Sequence, residues 1–193
     1  MVATPSTMLS LGTEVPEFAL VNAVDGRTVS PADFADAKAL RVMFICNHCP
    51  YVRHVQDELG SVAQDYMPKG IAVIAINSND IDAYPQDAPE HMRLLAQEKG
   101  WEFPFVFDES QEVAKRFKAA CTPDFFLYDR DRRLVYRGQL DDSRPGNDAP
   151  VTGRDLRAAL DAVLAGESVS SDQKPSIGCN IKWKPGNAPE YFG

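Results

Sequence analysis

The chain has 193 residues, 44% of them hydrophobic and 25% charged, with a formal net charge of −8. That length suits one domain with a sizeable core, and the acidic balance excludes sequence-independent nucleic-acid binding, which needs a basic footprint. No stretch approaches the length of a membrane span, and Met1 to Leu20 has neither the basic n-region nor the apolar h-region of a secretory signal.

Residues 1–13 read as loose. Phe18-Ala19-Leu20 and Thr28-Val29 flank Val24-Asp25-Gly26, a hairpin signal. Leu40-Arg41-Val42-Met43-Phe44-Ile45 reads as a buried strand. The next segment carries Val52, Val55, Leu59, Val62 and Tyr66 at alternating spacings of three and four, one apolar helical stripe that Pro68 and Gly70 stop. Ile71 to Ile76 is continuously apolar, as in a central parallel strand buried on both faces.

A polar loop, 77–88, leads to a helix near 89–99 with Met92, Leu95 and Ala96 inward and Gly100 as its C′ residue. Phe103 to Phe107 reads as a strand. Residues 110–118 form a short helix with Val113, Ala114 and Phe117 inward. Phe125–Tyr128 and Leu134–Tyr136 make an antiparallel hairpin around a charged, solvated turn in which Asp129 and Asp131 interleave Arg130, Arg132 and Arg133. A last helix is expected from Thr152, which with Asp155 makes a variant capping box, and its buried face is Leu156, Ala159, Leu160, Val163 and Leu164 up to Gly166.

After Gly166 periodicity is lost. Residues 167–193 contain three prolines, yet Ile177, Ile181, Trp183, Tyr191 and Phe192 are too apolar for a free tail. An ordered strap across the domain is expected, with 1–166 as the domain and 167–193 as its extension. The whole is an α/β layer fold with a mixed central sheet flanked by helices.

The strongest chemical statement is Cys46-Asn47-His48-Cys49-Pro50, set where a strand hands over to a helix. This spacing in a βαβ context suits a redox pair. Residues three apart in a first helical turn share a face, so the sulfurs can meet, and a helix N-terminus favours a thiolate. Chemistry in such sheets gathers at the carboxyl ends of parallel strands. With no secretory signal, a reducing, cytoplasmic location is expected, where a cysteine pair is more often catalytic or metal-binding than a staple.

Four matches carry a resemblance. They are Val15-Pro16-Glu17-Phe18-Ala19-Leu20 with the Asp25-Gly26 hairpin, Phe44-Ile45-Cys46-Asn47-His48-Cys49-Pro50, Thr122-Pro123-Asp124-Phe125-Phe126-Leu127-Tyr128-Asp129, and the exit strand of the second hairpin. Over about residues 12–165 the chain resembles the thioredoxin superfamily, in its peroxiredoxin-like branch related to the alkyl hydroperoxide reductase and thiol-specific antioxidant proteins. The resemblance implies a thioredoxin-like fold and a thiol–disulfide oxidoreductase. Cys46 would be the attacking thiol, nearest the helix N-terminus and the more exposed of the pair, and Cys49 would resolve the mixed disulfide. His48 would tune the potential, as in disulfide isomerases and strong thiol oxidases. Pro123 resembles the cis-proline that faces the redox cysteines. Thr122, Pro123, Asn47 and Pro50 would form the substrate surface.

The same chain departs from its relatives. Ile45 replaces the Trp of reductive thioredoxins, and residues 40–45 hold no carboxylate, which leaves Glu58 and water as relay candidates. Aligned to the peroxiredoxin Pro-x-x-x-Thr-x-x-Cys, Cys49 takes the peroxidatic place while Val42 and Cys46 take those of Pro and Thr; Arg53 or Arg137 would supply the cation. Peroxide reduction is therefore the alternative. A further alternative is a copper- or zinc-binding module using His48 and His54 with the cysteines. Cys121 and Cys179 are auxiliary thiols, either a second dithiol or ordinary buried cysteines. No cofactor is implied, because a dithiol carries two electrons itself. The partners implied are protein or small-molecule disulfides and thiols, hydroperoxides under the alternative, and an electron donor; neither nucleic acid nor membrane is expected.

Overall fold

The computed structural model describes residues 3–192. Met1, Val2 and Gly193, the outermost residues of the loose start and of the strap, lie outside them. The strands are β1 (Ala3–Pro5), β2 (Leu20–Asn22), β3 (Thr28–Val29), β4 (Ala39–Phe44), β5 (Ile71–Asn77), β6 (Phe105–Phe107), β7 (Cys121–Thr122), β8 (Asp124–Tyr128), β9 (Leu134–Gly138) and β10 (Ile177–Asn180). The helices are α1 (Pro50–Tyr66), α2 (Pro89–Lys99), α3 (Glu112–Phe117) and α4 (Arg154–Ala165).

Seven strands form one sheet in the order β3-β2-β6-β5-β4-β8-β9. The two pairings at its centre, β4 with β5 and β5 with β6, are parallel, and the rest are antiparallel. This is the expected thioredoxin-like mixed sheet. Every residue of β4 and β5 is buried, Arg41 of β4 included, because helices cover both faces. Along β4 the side chains alternate. Met43 joins the core under α1, α2 and α4, while Leu40, Val42 and Phe44 join the core under α3. The predicted stripe of α1 packs as a unit: Val52, Val55, Leu59, Val62 and Tyr66 are all buried, each full burial contributing about 1.5–3 kcal/mol.

Three local expectations are corrected. Residues 3–5 are not loose: β1 pairs antiparallel with β10, so the strap supplies a partner strand for the start of the chain. The strand expected over 103–107 is shorter, at 105–107. The last helix is not capped by Thr152. Its N-cap is Gly153 at φ +65°, without a side-chain cap, and the Asp141 carboxylate instead accepts from the Thr152 and Gly153 N–H groups at 2.7 Å each. A buried acceptor from the start of the same connection outcompetes the adjacent hydroxyl.

The strap lies across the carboxyl end of the sheet. Its strand β10 sits between β1 and β7 in a small antiparallel sheet, with Cys179 opposite Thr122 and Asn180 opposite Cys121. Gly178 permits this approach, because a Cβ there would run into the Thr122 carbonyl. Beyond it, the Lys182 N–H donates to Asn79 Oδ1 at 2.8 Å, and Gln111 Nε2 donates to the carbonyls of Ser78 and Lys182 at 2.7 and 2.8 Å.

Candidate active site

Strand β4 ends at Phe44 and α1 begins at Pro50, so Ile45 to Cys49 form the turn between them. Cys49 is the N-cap and Pro50 the first helical residue, where the missing proline N–H costs nothing. Cys49 Sγ and Cys46 Sγ are within hydrogen-bonding reach of each other, and both thiols are free. The Thr122–Pro123 peptide bond is cis and faces them. Cys46 Sγ lies 3.6 Å from Thr122 Oγ1, and Cys49 Sγ lies 3.2 Å from the Thr122 carbonyl oxygen.

Two expectations about Cys46 change. The helix starts later than expected, so Cys49, not Cys46, stands at its N-terminus. Nor is Cys46 notably exposed: the two cysteines are 1% and 0% accessible. The charge distribution follows this geometry. The neighbouring Cys179 and Cys46 thiols, with Thr122 and the Val52 N–H, lower the Cys49 thiol against the cost of burial, while its S–H donates to the Thr122 carbonyl. Burial pushes the Cys46 thiol up, and its hydrogen bond to Cys49 and the Asp87 carboxylate push the same way.

Asp87 is the acid that the strand lacks. It is fully buried in the loop after β5. Its Oδ1 accepts from the N–H groups of Asn47 and His48 at 2.9 and 3.0 Å, and its Oδ2 contacts His48 Nδ1 at 2.5 Å and accepts from Asn79 Nδ2 at 2.8 Å. One carboxylate thus fixes the turn between the two cysteines. The His48 ring also stacks on Tyr84, centroids 5.0 Å apart, and its Nδ1 is 3.9 Å from Cys46 Sγ. The run Asn77-Ser78-Asn79-Asp80 after an apolar strand was the available signal that this polar loop is built inward.

The remaining expected residues sort clearly. Asn47 and His48 line a cleft of about 350 Å³ with Arg53, Gln86, His91 and Leu94. Pro123 and Tyr51 border a second, small pocket with Arg144. Glu58 is no relay: it pairs with Arg157 at 2.8 Å on the α4 side of α1. His54 Nε2 bonds Ser143 Oγ at 2.7 Å, and Arg137 bonds the Leu9 carbonyl and Gln173, so neither reaches the sulfurs. The donor atoms of Cys46, His48 and Asp87 do lie within 4.8 Å of one another, the grouping a soft cation would need. A larger cavity of about 720 Å³ opens at the amino end of the sheet between Arg27, Phe34, Ile71 and Phe103 and contains no cysteine.

The two auxiliary thiols differ. Cys179 Sγ is within hydrogen-bonding reach of Cys49 and receives the Tyr51 N–H; contact with Cys49 and burial keep it protonated. Cys121 is buried with Sγ 3.7 Å from the Pro123 carbonyl, and burial, then the Asp124 carboxyl, raise its thiol. Asp124 itself is fully buried, and burial pushes it well above the usual carboxylate range against the opposing pull of the Ala120 and Phe125 N–H groups. No helix among the described residues is long and apolar enough to cross a membrane.

A family model described as Redoxin matches residues 10–156. A solved structure of an uncharacterized conserved protein from Geobacillus kaustophilus is 58% identical, covering 96% of this chain and 98% of its own, with a TM-score of 0.94. A hypothetical protein from Sinorhizobium meliloti 1021 is 52% identical, covering 95% and 100%, with a TM-score of 0.93. A thiol:disulfide interchange protein of the thioredoxin family from Chlorobium tepidum TLS shares the fold at 17% identity and a TM-score of 0.61, over 80% of this chain and 98% of its own. No curated protein matches the chain.

Proposed function

Because the chain belongs to the redoxin family, we propose that it is a thiol–disulfide oxidoreductase cycling between the Cys46/Cys49 dithiol and its disulfide. The observation that carries this reading is the contact between two free thiols at the carboxyl end of β4, facing Thr122-Pro123. Cys46 attacks a substrate disulfide, and its proton leaves with the first departing thiol. Cys49, whose thiolate Cys179 and the start of α1 favour, then attacks Cys46 Sγ, and the second thiolate departs. His48 is a positioning residue in this scheme. Asp87 fixes its ring, and the ring borders Cys46 on the cleft side. The test is reduction of a protein disulfide in a dithiol-coupled assay. Turnover should stop in Cys46→Ser, and full turnover in that variant would refute the scheme.

A second reading has its own support. The thiol that its neighbours lower is Cys49, which is also the position that aligns with a peroxidatic cysteine. Under this reading Cys49 reduces a hydroperoxide to an alcohol, becomes a sulfenic acid, and loses water as Cys46 condenses with it to a disulfide. Hydroperoxide consumption that survives Cys46→Ser for one turnover but not Cys49→Ser would favour it over disulfide exchange.

A further inference from the structure

Cys49 touches two thiols, not one. Cys46 reaches it from the turn, and Cys179 reaches it from the strap. The second contact is built by several elements. The β10–β7 register sets Cys179 opposite Thr122, whose carbonyl oxygen is 3.2 Å from Cys49 Sγ. Gly178 lets the strap close down on that carbonyl. The first free N–H groups of α1, those of Tyr51 and Val52, point at the sulfurs of Cys179 and Cys49 respectively. Cys46, Cys49 and Cys179 all belong to one buried cluster.

Resting on the dithiol reading above, we propose that Cys179 is a third redox thiol, which takes the disulfide over from Cys46. In the Cys46–Cys49 disulfide, the Cys179 sulfur attacks Cys49 Sγ. The Cys49–Cys179 bond forms, the Cys46–Cys49 bond breaks, and Cys46 leaves with the proton that Cys179 gives up. No electrons enter or leave the protein, so no further reactant is required. The result is an oxidised protein that still carries a free thiol at Cys46, with the strap covalently pinned to the start of α1. Cys49 is the shared partner of two mutually exclusive bridges.

The decisive material is the folded Cys46→Ser protein treated with glutathione disulfide and digested without reduction. The expected product links the Cys49 peptide to the Cys179 peptide, and free thiols fall from three to one, leaving Cys121. Three reduced thiols, a glutathione adduct left on Cys49, or a bridge from Cys49 to Cys121 would each overturn the proposal. Wild-type protein supplies a second readout independent of the variant's folding. Across a glutathione redox titration, a link between peptides 42–53 and the strap should appear beside the internal 46–49 bridge, and it should vanish in Cys49→Ser and in Cys179→Ser. If the internal bridge forms and the strap link never does, the two-cysteine reading stands and this one fails. If the internal bridge never forms, the two-cysteine reading fails with it.

Discussion

At the scale of single residues, a buried group is governed by what touches it more than by its place in a motif. Cys49 is the case in point. Its donors come from the turn, from the strap and from the helix N-terminus, and together they favour the thiolate. The reduced protein should therefore keep about one equivalent of thiolate absorbance at about pH 6, where an ordinary thiol of pKa about 8.5 has almost none. Cys49→Ser should abolish that signal and Cys46→Ser should retain it, since Cys179 still donates. Asp124 makes the opposite prediction about a proton. Its native pKa is raised by burial, so above about pH 4 the native state holds a proton that the unfolded chain releases. Stability then falls as pH rises from about 4 towards the native value. In Asp124→Asn this slope should disappear, so that urea midpoints at about pH 5 and pH 8 converge. A slope equal to the wild type's would show that Asp124 is not the group responsible.

Among the elements, α1 and β10 determine the site jointly. The helix was legible because its stripe of valines, Leu59 and Tyr66 has helical period, β5 because Ile71 to Ile76 is continuously apolar, and β4 because Leu40 and Val42 to Ile45 are apolar around the single Arg41. Neither pattern indicates that a four-residue strand from the far end of the chain closes on the Thr122 carbonyl. Its signature is one glycine without periodicity around it. Gly178→Ala should lift β10 from β7, costing about 1–3 kcal/mol as overpacking does. It should also speed alkylation of Cys179 at least several-fold, read by peptide mapping after timed treatment with iodoacetamide. Unchanged alkylation and stability would mean that the strap can move aside without loss. The loop 77–88 has a similar lesson. It is polar, but Asn77, Ser78, Asn79, Asp80 and Asp87 are buried in a hydrogen-bonded network and not solvated.

For the whole molecule, the strap is part of the structure around the site. It contributes buried Ile181 and Cys179, partners for Asn79 and Gln111, and the strand that orders residues 3–5. Truncation after Gly166 should cost several kcal/mol from lost burial and orphaned polar groups. A fall in Tm of about 10 °C or more is expected, at roughly 2–4 °C per kcal/mol for a chain of this size, together with rapid reaction of Cys46 and Cys49 with thiol reagents. A truncated protein with native Tm and shielded cysteines would show the strap to be dispensable.

From the sequence alone came everything that depends on short range: the apolar strands, the period of α1, the hairpins, the Cys-x-x-Cys turn and the resemblance that its residues carry. Those signals are local because secondary structure answers to neighbours three or four positions away. The acid that holds the turn and the third thiol beside Cys49 were settled only by folding. Asp87 is 41 residues beyond Cys46 and Cys179 is 130 beyond Cys49, and only the packed sheet brings such distant groups close enough for a hydrogen bond to form.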